Sequence, residues 1–125
     1  MPIVALYAAM LGLLLFFLII FVIRLRWRHR VSLGDAGNAQ LQTAIRAHGN
    51  FTEIVPFVLV LMLVLAQLQV SIYLLHAIGM MLVLGRCVHA YSLLTQKLVL
   101  RPVGMGLGTF TPLLLGVVGC LYYTL

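Results

Sequence analysis

The sequence predicts an all-α membrane protein, a four-transmembrane-helix bundle forming one domain over residues 1–125. Three observations carry this. First, 64% of the residues are hydrophobic and mean hydropathy is +1.18. Second, only 8% are charged, eight Lys and Arg against two Asp and Glu. A soluble domain is about half apolar and roughly a quarter charged, and a fold this small must cover a large relative surface with polar groups. Third, polar punctuation cuts the apolar sequence into four runs. Composition thus excludes a soluble enzyme, a disordered region and a nucleic-acid-binding domain. The net charge of +6 is read as membrane topology, because Lys and Arg gather in loops that stay cytoplasmic.

Span one covers residues 2–23, enough for the ~20 residues a bilayer crossing needs. Pro2 suits a first helical turn, where its missing N–H costs nothing. The run has no basic region before it and ends in arginines, so it does not read as a cleavable signal. Arg24, Arg26, Trp27, Arg28 and Arg30 follow as a basic, aromatic anchor. Loop one is Val31 to Gly37. Span two is assigned to residues 38–67 as one long helix. Its apolar run, Ile54 to Ala66, is too short to cross alone, so the polar half upstream faces a polar interior or the interface. Pro56 is expected to kink it. Span three covers residues 70–96 and carries Arg86 and His89. Span four covers residues 102–123, with a GxxxG spacing at Gly104 and Gly108 that permits close helix contact. Pro112 is expected to kink this last span.

Four spans put both termini on one side and loops one and three on the other. The stretch leading into loop one carries four arginines, Arg24, Arg26, Arg28 and Arg30, and loop three carries Lys97 and Arg101. That side is therefore expected to be cytoplasmic and both termini non-cytoplasmic. Cys87 and Cys120 lie toward opposite faces and make neither a disulfide framework nor a metal motif.

Polar groups within the spans mark the candidate site. A charge near the centre of a membrane helix costs about 2.5–3.5 kcal/mol on insertion scales, so it calls for a partner or a function. Arg46, Asn50 and Glu53 share one face of helix two, and Arg86 and His89 share one face of helix three. In an antiparallel hairpin, residues at equal depth have numbers of constant sum. Glu53 with Arg86 and Asn50 with His89 both give 139, which predicts one polar layer toward the cytoplasmic half. A Glu53–Arg86 pair fits either self-neutralisation within the packing or a role in binding. His89 alone fits packing as well as it fits a ligand role. Arg24, Arg46, Arg86 and Arg101 outnumber Glu53 and Asp35, so the surplus is cationic. A cationic pocket at this depth implies an anionic ligand with an apolar companion. Arg101 directly precedes Pro102, the expected start of helix four. Arginine beside a helix N-terminus favours a thiolate or another anion, and an interfacial arginine that only snorkels fits the position too.

The segment Arg46-Ala47-His48-Gly49-Asn50-Phe51-Thr52-Glu53, followed by Ile54-Val55-Pro56, resembles the MAPEG family, the membrane-associated proteins of eicosanoid and glutathione metabolism. The resemblance continues through Gly85-Arg86-Cys87-Val88-His89-Ala90-Tyr91, Arg101-Pro102-Val103-Gly104-Met105, Arg24-Leu25-Arg26 and Gly34-Asp35. It covers nearly the whole chain, and the size matches short bacterial members. It implies a homotrimer in a bacterial inner membrane, with glutathione as co-substrate between subunits near the cytoplasmic face. By matching position, Arg24, Asn50, Glu53 and His89 look like glutathione contacts and Arg46 like a supporting residue. Arg86 looks like the partner that orients Glu53, Arg101 like the arginine that stabilises the thiolate, and Asp35 like an acidic residue that assists it. The implied activity is a transferase or peroxidase acting on hydrophobic small molecules dissolved in lipid. The pattern departs at Gly49, where some members carry arginine, at Leu93, where they place tyrosine, and at Pro102, where one places serine. The alternatives are a catalytically silent membrane protein binding an anionic lipid in the same pocket, and a small multidrug exporter. An exporter needs a carboxylate free for proton coupling, whereas Glu53 is level with Arg86.

Overall fold

A computed structural model describes residues 1–125. It has four helices long and apolar enough to cross a membrane, joined by short turns, and no strand. Helix α1 is Pro2–His29, α2 is Ala39–Gln67, α3 is Ile72–Leu94 and α4 is the composite Leu98–Thr124.

Helix α1 does not end at Ile23. It runs to His29, so Arg24, Arg26 and Arg28 ride on its last turns rather than in a loop. Arginine is a good helix former, and beyond the lipid the helix no longer needs apolar side chains. Arg30 enters the left-handed region at φ 54°, and the Val31 N–H closes on the Arg26 carbonyl at 3.0 Å, a helix stop that satisfies an orphan acceptor. Loop one is held from both ends. Arg26 Nη1 donates to the Gly34 carbonyl at 2.9 Å, and Asp35 Oδ1 accepts from the Gly37 N–H at 2.9 Å.

Asn38 caps α2 rather than opening it, its Oδ1 accepting from the Leu41 N–H at 2.9 Å. Leu41, Ala44, Ala47, Phe51, Val55, Val58, Met62 and Leu65 form one buried stripe at the three- and four-residue spacing of a helix face. Pro56 lies inside this helix without breaking it. The tight turn to α3 passes through Gln69 at φ 56°, at the midpoint of the residue-number sum of 139, and Ser71 caps α3.

Helix α4 begins one turn earlier than Pro102. A 3₁₀ turn at Leu98–Leu100 leads into an α-helical turn at Arg101–Met105, a π turn at Gly106–Phe110 and a final α-helix at Thr111–Thr124. Pro112 stands just after the π turn, so the irregularity expected there takes the form of one widened turn. Gly85 and Gly108 meet backbone to backbone; a Cβ on Gly108 would lie 2.6 Å from the Gly85 carbonyl carbon. Gly104 packs as closely on His89, with a would-be Cβ 2.6 Å from its backbone nitrogen. The close contact expected of the GxxxG pair is therefore α4 against α3.

A polar tie fastens the opposite end. The buried Tyr7 of α1 holds its hydroxyl 2.9 Å from Nδ1 of His76 on α3. Both cysteines are free.

Candidate functional site

Arg86 is the pivot of the polar layer. Its side chain is 1% exposed, held there by the Gly85–Gly108 contact that draws α3 onto α4. Nε donates to the Gly108 carbonyl at 2.9 Å, Nη1 to the Asn50 carbonyl at 3.3 Å, and Nη2 to Thr109 Oγ1. A buried guanidinium must be fully hydrogen-bonded to be tolerated, and here neutral oxygens do it. Two of the three come from the π turn, which leaves carbonyl and hydroxyl groups pointing sideways.

Within the chain, none of the Arg86 donors reaches Glu53. Arg86 does reach α2 at the expected depth, but its partner there is the Asn50 backbone. Glu53 lies on an exposed side of α2. Equal depth fixes height and leaves azimuth open. The face of α2 turned inward belongs to Ala47, Phe51 and Val55.

Asn50 and His89 share the layer in a different way. Asn50 Nδ2 and His89 Nε2 are buried and have no hydrogen-bond partner, and His89 is 2% exposed. Buried polar groups are nearly always paired, so each orphan requires a reason.

Above them, toward the basic end, a cavity of about 320 Å³ is lined by Gln42, Thr43, Arg46, Leu93, Leu98 and Arg101. Two guanidinium groups face it and no carboxylate does. Arg46 and Asn50 are one turn apart on α2, as are Leu93 and His89 on α3, so the two orphaned nitrogens belong to the turns directly beneath this cavity. The helix N-terminus expected at Arg101 is displaced: the Arg101 N–H is bonded to the Leu98 carbonyl. Any positive character at Arg101 thus comes from its side chain and not from free backbone N–H groups.

The remaining predicted residues stand apart in the single chain. Arg24 is exposed on α1 beside Phe16, Phe17, Ile20 and Phe21. Asp35 is occupied in folding loop one. The structure thus gathers Arg46 with Arg101 and Asn50 with Arg86 and His89, and leaves Arg24, Asp35 and Glu53 outside both groups. Gln42 and Thr43 were not singled out from the sequence, although each shares a helical face with Arg46. Thr109 and the Gly108 carbonyl had no signal, since a π turn is not written in side-chain periodicity. Leu93 lines the cavity while Tyr91 faces away from it, as their different helical faces require.

Comparison with known proteins agrees with this architecture. Residues 4–121 match the model of the MAPEG family. The chain is 40% identical over 119 residues to the inner membrane protein YecN of Escherichia coli K12, covering 95% of this chain and 90% of that protein. The same protein of Escherichia coli O6:H1 matches equally. No solved structure matches. With a matching model over almost its full length and a relative this similar, the chain belongs to the MAPEG family.

Proposed function

We propose that this protein is a glutathione-dependent transferase or peroxidase of a bacterial inner membrane, acting as a homotrimer on hydrophobic electrophiles or lipid hydroperoxides. The observation that carries the reading is the cavity with Arg46 and Arg101 on its wall, no acid opposite, and the orphaned Asn50 and His89 nitrogens beneath. Glutathione offers two carboxylates, amides and a thiol, and guanidinium groups bind carboxylates in a forked geometry. Asn50 Nδ2 and His89 Nε2 supply the polar contacts that an amide-rich peptide needs.

In this reading Arg101 stabilises the thiolate at the lipid boundary. The sulfur lone pair attacks an electrophilic carbon, the S–C bond forms, and the leaving group departs with its electron pair. With a hydroperoxide, the thiolate attacks the distal oxygen, releasing the alcohol and a sulfenic acid that a second glutathione converts to disulfide and water.

Glu53 supports the trimer. It is exposed on α2 about 14 residues, or ~21 Å, from the far end of that helix, within the hydrocarbon of a bilayer ~30 Å thick. A carboxylate cannot be left against lipid. A second copy supplying Arg24 from α1 would cover it and complete the site.

Titration calorimetry on detergent-purified protein tests the proposal. We expect glutathione binding that weakens about 10–100-fold in Arg46→Ala, the equivalent of one charge-assisted hydrogen bond. Arg101→Ala should remove the ultraviolet absorbance of bound thiolate. Absence of both binding and turnover across a panel of electrophiles and hydroperoxides sinks the proposal. Leu93 on the cavity wall favours a second reading, a silent family member holding an anionic lipid there. Lipid co-purifying in the cavity with no thiol binding would select it.

A further inference from the structure

A second depression lies on the other side of α3. Leu14, Phe17 and Phe21 of α1 and Cys87, Ala90, Tyr91 and Leu94 of α3, with Thr95, enclose about 360 Å³. The α1 residues recur at helical spacing, as do Cys87, Tyr91 and Leu94, so two helix faces form one trough. It spans eight residues on each helix, from Leu14 to Phe21 and from Cys87 to Leu94, a rise of ~10 Å along the bilayer normal. That is most of one leaflet's hydrocarbon, whose full thickness across both leaflets is ~30 Å.

The trough is apolar along its length and cationic at its mouth. Lys97, in the turn after α3, donates from Nζ to the Tyr91 hydroxyl at 3.3 Å. Its ammonium stands 5.5 Å from the centre of the Tyr91 ring. An ammonium has three donors, and only one is used here. Neither acidic side chain is available: Asp35 is engaged in loop one and Glu53 is on α2. Lys97 is therefore a cation without a counter-ion in the chain, standing beside the Tyr91 end of an open apolar trough.

We propose that this trough is a binding site for an anionic phospholipid, with one acyl chain between α1 and α3 and its phosphate on Lys97 and the Tyr91 hydroxyl. The site is independent of the Arg46–Arg101 cavity, which lies on the Leu93 face of α3. An apolar wall with a few convergent polar groups at one end is the general form of such sites, and anionic lipids are drawn to basic groups at the cytoplasmic surface.

Cys87, exposed on the trough floor, reports its occupancy. The test uses the full chain with Cys120→Ala, reconstituted into vesicles of phosphatidylcholine alone or of equal parts phosphatidylcholine and phosphatidylglycerol. Alkylation of Cys87 by a membrane-permeant maleimide is timed in each. We expect phosphatidylglycerol to slow the reaction about fivefold, the scale of one cation meeting an anionic head group. Lys97→Gln should abolish the difference and Lys97→Arg should preserve it. Equal rates in the two vesicles overturn the site. A difference that survives Lys97→Gln also overturns it, since the head group would then be held elsewhere. Cys87 unreactive in both vesicles overturns it as well, because the trough would be buried between copies of the chain.

Discussion

Of the ten formal charges, only that of Arg86 is buried, and its three acceptors come from two other helices. Arg86→Met keeps much of the volume and removes every donor, leaving the Gly108 carbonyl and Thr109 in an apolar layer. A loss of about 3 kcal/mol is expected, the scale of unsatisfied buried acceptors, read as a lower thermal midpoint in detergent. Arg101→Ala is the contrast. Its side chain is exposed, so the midpoint should not move while anion binding falls. The two arginines therefore separate stability from ligand recognition, although both are arginines inside an apolar sequence. Gly49 offers a gain. Nothing lies within 4 Å of a Cβ placed there, and it is one turn from Arg46. Gly49→Arg should tighten glutathione binding about tenfold through a further charge-assisted contact, as calorimetry would show.

At the scale of elements, α4 is bonded to α3 by absence of side chains. Gly108→Ala would push a methyl group into the Gly85 backbone, and backbone cannot step aside as a flexible side chain does. Overpacking of this kind costs typically 1–3 kcal/mol, and here it would also pull the π turn off Arg86. Gly12→Ala, with open space around its Cβ, should instead be neutral or stabilise α1 by about 1 kcal/mol. Paired melting curves distinguish the two. The helices themselves were legible from residue chemistry: apolar runs gave their number, and the constant sum within an antiparallel hairpin gave the depth of the polar layer. Their ends were less so. Arginine ends an apolar run without ending a helix, which is why α1 continues past Ile23. The start of α4 was misplaced for a related reason: Pro102 looks like a first turn, yet a 3₁₀ turn before it is compatible with almost any sequence. The candidate site was legible as a set of residues and not as a set of contacts. Periodicity gives the height of Glu53 and Arg86 but cannot say which of several faces of α2 turns toward α3.

For the whole molecule, charge asymmetry predicts orientation. A reporter fused after Leu125 should behave as non-cytoplasmic: alkaline phosphatase active there, a fluorescent protein dark. The reverse pattern would invert the topology drawn from the arginines of α1 and loop three. The anchoring of Arg86 also has a bearing on synthesis. Helix α1 carries no charge before Arg24 and can enter lipid as it leaves the ribosome. Helix α3 cannot settle on the same terms, because two of the acceptors for its guanidinium lie on the helix that follows it into the bilayer. Until Gly106–Phe110 emerges, Arg86 is a stranded cation, and the bilayer holds an unfinished intermediate. A chain truncated after Thr95 would be frozen in that condition. It should be cleared by membrane proteases where the full chain persists, so the last helix serves as the checkpoint for the three before it.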